Sequence, residues 1–93
     1  MNSYKIKYHT NALKFIKSNK LYGLKFMKAF CDICSSRNEI NKYDIKKIKS
    51  SQYNDIFRLR IGKYRAIFRI IDQELIVLVF NIDSHGDIYK NNF

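Results

Sequence analysis

Four of the five arginines in this chain, Arg58, Arg60, Arg65 and Arg69, fall within twelve residues, although lysine outnumbers arginine thirteen to five overall. A guanidinium is a planar fork that grips a phosphate or carboxylate with two parallel hydrogen bonds, which an ammonium cannot do. A local switch from lysine to arginine therefore marks a candidate anion site. Downstream, the run Asp83-Ser84-His85-Gly86-Asp87-Ile88-Tyr89 supplies an imidazole and a phenol. An imidazole exchanges protons near neutral pH, which a guanidinium cannot do. Fixed cations beside a proton carrier are the equipment of phosphoryl transfer, where charge builds on the non-bridging oxygens. Asp83 and Asp87 are two carboxylates in a loop and read as turn residues. They do not make a metal cluster, and no metal or cofactor is expected.

The elements that must position these groups follow from local pattern. Tyr4 to Tyr8 alternates polar and apolar residues and predicts a half-buried strand. Thr10 or Asn11 can cap a short helix carrying Ala12, Leu13, Phe15 and Ile16, broken at Ser18-Asn19. Leu21, Leu24, Met27, Phe30, Cys31 and Cys34 recur at spacings of three and four, which predicts a second helix from Lys20 to Ser35 with those residues on its buried face. Gly23 weakens its first turn slightly. Residues 36–41 are a polar connection, and Tyr43 to Lys49 carries mixed signals that assign it to no element. From Ile56 to Ile82 the chain reads as three consecutive strands joined by two-residue loops at Gly62-Lys63 and Asp72-Gln73.

A Gly-first loop suits a type II′ turn, and that turn sets a register. Ile61 pairs with Tyr64, Arg60 with Arg65, Leu59 with Ala66 and Arg58 with Ile67. Alternation then gives Phe57, Leu59, Ile61, Tyr64, Ala66, Phe68 and Ile70 to a core face for the helices to cover. Arg58, Arg60, Arg65, Ile67 and Arg69 take the other, uncovered face. Arginines directly opposite one another cost up to about 1 kcal/mol, so their clustering points to a face arranged for an anion. The third strand, Leu75 to Ile82, is apolar on both faces, as an interior strand would be. With a tight turn at Asp72-Gln73, Ile71 would pair with Glu74 and Phe80 would lie beside Arg65. His85 and Tyr89 would then emerge near Arg60, Arg65 and the Gly62 turn.

Composition sets the bounds. The 93 residues fit one domain, spanning 1–93. With 46% hydrophobic residues and 14 aromatics, disorder is excluded in spite of a net charge of +10. Two cysteines are too few for a disulfide scaffold. No apolar run approaches a membrane span, and the N-terminal segment lacks the pattern of a secretory signal, so a cytoplasmic protein is expected. The charge is uneven: residues 1–49 hold 12 basic and 3 acidic side chains, residues 50–93 hold 6 and 5. That excess favours an anionic partner, whether nucleic acid, acidic protein or membrane surface. A lysine-rich composition can also be no more than solvated decoration.

The segment from Ile56 to Ile70, with Arg58-Leu59-Arg60-Ile61-Gly62-Lys63-Tyr64-Arg65 at its centre, together with Glu74 to Phe80 and the terminal His85-Gly86-Asp87-Ile88-Tyr89, resembles the RelE side of the RelE/ParE toxin superfamily. The likeness extends upstream through Ala12 to Ile16 and Ile45 to Lys49, and so covers nearly the whole chain. It implies an α+β fold with two N-terminal helices packed on one face of a small antiparallel β-sheet. It also implies a toxin of a type II toxin–antitoxin system, a metal-independent endoribonuclease that cleaves mRNA in the ribosomal A site. In that reaction a ribose 2′-OH attacks the adjacent phosphate, giving a 2′,3′-cyclic phosphate and a free 5′-OH. A cognate antitoxin protein is the implied partner, commonly acidic and folding on binding. By position, Arg65 matches the arginine on the scissile phosphate, Arg58 and Arg60 match basic strand residues along the RNA backbone, and Tyr89 matches a tyrosine that stacks on a base or assists proton transfer. His85 stands where many relatives carry arginine, and its chemistry fits a general acid to the leaving 5′-oxygen.

Blander roles attach to other residues. Arg69, at the far end of its strand, is expected to pair with Asp72 or Glu74. Cys31 and Cys34 are expected as buried thiols rather than a redox pair or half a zinc site. His9 reads as a strand-end residue. Lys46, Lys47 and Lys49 are either a solvated face or contacts to ribosomal RNA phosphates, whose affinity would fall steeply with salt. Two functions compete with the nuclease: a ParE-like toxin that acts on DNA gyrase, and a catalytically degenerate module that binds RNA or antitoxin.

Overall fold

In a computed structural model, residues 4–84 are described. They form β1 (Lys5–Tyr8), α1 (Thr10–Ser18), α2 (Lys20–Ser35), a 3₁₀ segment (Arg37–Lys42), β2 (Asp44–Lys47), β3 (Ile56–Ile61), β4 (Tyr64–Ile71) and β5 (Ile76–Ser84). The strands make one five-stranded sheet in the order β1-β5-β4-β3-β2. Four strands are mutually antiparallel, while β1 runs parallel to β5. Placing β1 beside β5 puts the apolar third strand of the Ile56–Ile82 run in the interior, as its two-sided hydrophobicity requires.

Both helices cover one face of the sheet. The core joins Phe15, Phe26, Phe30 and Ile33 from the helices to Leu59, Ala66, Phe68, Ile70, Val77, Val79 and Ile82 from the strands. Aromatic rings meet edge-on through it, Phe30 on Phe68 at 5.1 Å and Phe15 on Phe26 at 5.9 Å, an arrangement that ring quadrupoles favour. The helix boundaries match the sequence pattern closely. A single residue, Asn19, closes α1 and opens α2. The cap of α1 is His9 rather than Thr10 or Asn11, because its Nδ1 accepts the Asn11 backbone N–H at 3.3 Å.

The face that α2 buries differs from the one expected. Gly23, Phe26, Ala29, Phe30, Ile33 and Cys34 turn inward. Leu21 and Leu24 are each 66% exposed, Met27 is 41% exposed, and Cys31 faces solvent. The helix carries two apolar stripes, and spacing alone does not say which one meets the sheet. The aromatic stripe wins because it buries more area per residue.

The β3–β4 register matches expectation residue for residue, including Arg60 opposite Arg65. Gly62 sits at φ +60° and Lys63 has negative φ, as a type II′ turn requires. The β4–β5 turn is longer than expected. Asp72-Gln73 offers no glycine or asparagine for the positive φ of a two-residue loop. The chain instead turns over Asp72–Leu75 and places Leu75 at φ 55°. Ile71 therefore pairs with Ile76, not Glu74. A bulge then makes Phe80 the extra residue, and Arg65 lies opposite Asp83 rather than beside Phe80. The unassigned stretch near Tyr43 holds the short edge strand β2, whose lysines are typical of a protected edge.

Gly23 does more than weaken a turn. A Cβ there would stand 2.9 Å from the Ile16 carbonyl oxygen. Alanine normally gains roughly 0.5–1 kcal/mol over glycine inside a helix. Gly23→Ala should instead destabilise the protein by about 1–3 kcal/mol through overpacking, seen as a lower urea midpoint with an unchanged slope.

Candidate nucleic-acid interface

Cross-strand rows define the face away from the helices. One row runs Asp44, Arg60, Arg65, Asp83 across β2, β3, β4 and β5. The next runs Lys46, Arg58, Ile67, Asn81. Lys46, Arg58, Arg60 and Arg65 thus share one face across three adjacent strands. The two aspartates close the first row at either end, and facing opposite charges contribute roughly 0.2–1 kcal/mol per pair. The arginine pair is therefore bracketed by a carboxylate at each end of its row. Asp44 was visible in the sequence but had no assigned strand. Asp83 reaches Arg65 only because of the bulge.

The three arginines are not equivalent. Arg58 is nearly buried, its side chain 11% exposed, and its Nη2 donates to Asp44 Oδ1 at 2.8 Å. Arg60 is exposed, with Nε 3.5 Å from the Gly62 carbonyl. Arg65 is half-buried. Arg58 is therefore held in place by a carboxylate, while Arg60 is accessible from solvent. Arg69 lies outside the site, as expected, but its partner is Asp55, at 2.8 and 3.1 Å, rather than Asp72 or Glu74. That carboxylate holds the guanidinium pKa above its ordinary value, and the guanidinium stacks on Tyr53 at 4.2 Å.

The face is not wholly open. Ile56 and Ile67 are buried there beneath Ile48, Tyr53 and Phe80, a small second core made by the loop between β2 and β3. That loop borders an open cleft of about 820 Å³ lined by Lys47, Lys49, Ser50, Gln52, Tyr53 and Arg69, among others. The lysine group divides accordingly. Lys46 stands opposite Arg58, while Lys47 stands opposite Phe57 on the alternate row, and Lys47 and Lys49 line the cleft. A second cleft of about 380 Å³ gathers Lys25, Lys28 and Lys42 around Arg60, with Tyr43, Asp44 and Ile61. None of these lysines was among the expected site residues; the spacing of Lys25 and Lys28 on α2 was the available signal. In the same region Tyr43 donates to Asp32, which pushes the phenol up to about 12.

His85 and Tyr89 lie outside the described residues. Ser84, which precedes His85, is registered opposite Tyr64, one position from Arg65 on β4.

Both cysteines are free thiols. Cys34 is buried, and burial pushes its thiol up to about 11, while Cys31 is exposed, which corrects the expectation that both are buried. Among the described residues, no helix is long and apolar enough to cross a membrane.

The family model for the ParE toxin of type II toxin–antitoxin systems matches residues 6–89, and the chain belongs to this RelE/ParE family. A curated relative named as toxin RelE1, from Methanocaldococcus jannaschii, is 29% identical over 90 residues, covering 95% of this chain and 97% of that one. The fold recurs in the RelE–RelB complex of Pyrococcus horikoshii OT3, with TM-score 0.75 and 21% identity over 91% of this chain and 98% of that one. It recurs in the RelB–RelE complex of Methanococcus jannaschii, with TM-score 0.64 and 24% identity over 89% and 94%. The RelBE2 complex of Mycobacterium tuberculosis also shares it, with TM-score 0.64 and 21% identity over 94% and 97%.

Two measurements check this geometry. Asp44→Ala should lower stability by about 1–2 kcal/mol by stranding the Arg58 guanidinium, the exposure of Asp44 keeping the loss below that of a fully buried pair. Asp44→Asn, which keeps an acceptor, should lose less in the same urea titration. Maleimide should label one thiol per native chain, at Cys31, and Cys34 only after denaturation.

Proposed function

We infer that this protein is an endoribonuclease toxin that cleaves mRNA on the ribosome without a metal ion and is held in check by a cognate antitoxin. The observation that supports this most is the in-register pairing of Arg60 with Arg65 on the face opposite the helices, beside Arg58 and Lys46. Two guanidinium groups from adjacent strands suit one phosphodiester. In the reaction, the 2′-OH gives up its proton to solvent as its oxygen attacks the adjacent phosphorus, the bond to the 5′-oxygen breaks, and a 2′,3′-cyclic phosphate forms. Arg65 and Arg60 stabilise the charge that grows on the non-bridging oxygens. His85 gives its proton to the departing 5′-oxygen, and Tyr89 stacks on or orients a base. Arg58, held by Asp44, positions the backbone, and Lys46, Lys47 and Lys49 meet flanking phosphates.

A second reading has one observation in its favour, the description of the matching family as ParE toxins. On that reading the protein acts on DNA gyrase and does not cut RNA. A catalytically silent binding module is a third.

Primer extension on mRNA from translating ribosomes separates them. Wild-type protein should cut within codons, with no loss in EDTA. Arg65→Ala should slow cutting by roughly 10²–10³-fold, as removal of one charge-stabilising donor does. His85→Ala should slow it by roughly 10²–10⁴-fold. Wild-type rates in both variants would refute the assignment, and intact mRNA with a DNA-damage response would establish the gyrase reading.

A further inference from the structure

Arg69 stands apart from the arginine cluster and has no task in the reaction above, yet its surroundings are built. Asp55 takes the edge of its guanidinium, accepting from Nε at 2.8 Å and from Nη2 at 3.1 Å. Tyr53 takes one face, with its ring centroid 4.2 Å away. Both partners are themselves fixed. Tyr53 packs with Phe80 over the small outer core of Ile56 and Ile67, and the Asp55 carbonyl accepts the Ile70 N–H at 3.1 Å. A guanidinium held at its edge and on one face keeps its plane, and its charge is already met by a carboxylate. It is a poor phosphate ligand but a good platform for a flat ring, because nucleobases stack on guanidinium planes. Arg69 also lines the cleft of about 820 Å³ with Lys47, Lys49, Gln52 and Asn54, all four of them exposed. Among the described residues, those lysines enter no ion pair and those amide side chains no hydrogen bond. A salt bridge that served stability alone would need neither the open cleft nor the unengaged amides.

We propose that Arg69 and the cleft beside the β2–β3 loop form a subsite in which one unpaired RNA base, flanking the bond held at Arg60 and Arg65, stacks on the remaining face of the guanidinium. The choice of RNA rests on the nuclease reading above. Placement supports it. Strand alternation puts Arg69 on the same side of β4 as Arg65, about 13 Å further along. Lys46 occupies the row between them, so an extended strand leaving the arginine pair passes one more cation before it reaches the cleft. There Lys47 and Lys49 meet its phosphates as point charges. Gln52 and Asn54 each carry an amide that both donates and accepts, which suits the edge of a base. The loop that presents them is ordered by Ser50, whose hydroxyl accepts the backbone N–H groups of Gln52 and Tyr53 at 3.1 and 3.4 Å.

The test uses the full chain and short uridine-rich 2′-O-methyl RNA oligonucleotides, which cannot cyclise, with 2-aminopurine placed at each position in turn. Stacking quenches that base, so its fluorescence should fall on binding at one position, and binding should weaken with salt. Arg69→Lys keeps the charge and a partner for Asp55 but loses the plane. It should abolish the quenching at that position, with circular dichroism confirming that the variant folds. An abasic residue at the same position should weaken binding to the wild type by roughly tenfold, as the loss of one stacked base does, and change binding to Arg69→Lys far less. Quenching at no position, unchanged quenching by Arg69→Lys, or equal affinity for the abasic strand overturns the proposal. So does binding of free 2-aminopurine ribonucleotide as tight as that of the oligonucleotide, which would make the cleft a mononucleotide site. Quenching that Arg69→Lys removes, in a chain that leaves mRNA intact, keeps the subsite and loses the nuclease reading. Cutting within codons by a chain whose Arg69→Lys variant quenches like the wild type does the reverse.

Discussion

The basic face depends on one tight turn. Gly62 adopts φ +60°, and a Cβ at that position would come within 2.9 Å of the Tyr22 ring. The missing side chain therefore permits both the left-handed backbone and the close seat of the hairpin against α2. Because the turn holds two residues, it locks β3 and β4 in one register. A slip of β3 by a single residue would send Arg58 and Arg60 under the helices and expel Leu59. Each guanidinium buried without a partner would cost several kcal/mol, so the alternative register is closed by the core as well as by the turn. Tyr22 reinforces this by packing on Tyr64 at 4.8 Å, which in turn packs on Phe15 at 4.8 Å.

With the register set, electrostatics grade the cations. In the row Asp44, Arg60, Arg65, Asp83 the two arginines stand side by side with a carboxylate at either end. Asp44 also engages Arg58 in the neighbouring row, which removes that residue from solvent and leaves Arg60 accessible. The same face thus contains a buried, held guanidinium and an exposed one. Near its far end, Arg69 is neutralised by Asp55 and stacked on Tyr53.

Much of this was legible from residue pattern, and the failures have physical causes. The β3–β4 pairing could be read because glycine at the first turn position has one common use. The β4–β5 pairing could not, since Asp72-Gln73 resembles a two-residue loop yet lacks the residue that such a loop requires. The left-handed position fell to Leu75, for which no sequence preference exists. The Phe80 bulge left no mark in composition, and it decided that Asp83 rather than Phe80 neighbours Arg65. On α2, periodicity found the helix but not its inner side, because Phe26, Ala29 and Ile33 form a stripe as regular as that of Leu21, Leu24 and Met27. Lys46 was placed on the arginine side by strand alternation, but that alternation became visible only once β2 was known to exist.

The parallel pairing of β1 with β5 bears on the order of assembly during synthesis. Lys5 to Tyr8 are made early, yet their sheet neighbours are Ile76 to Val79. The first strand must wait, unpaired along its length, until most of the polypeptide has been translated, and such distant contacts are slow to close. Asp83, which completes the charged row, arrives later still. The arginine hairpin ends at Ile71 and β5 begins at Ile76, so the sheet that presents the arginines closes only when β5 has taken its place between β4 and β1.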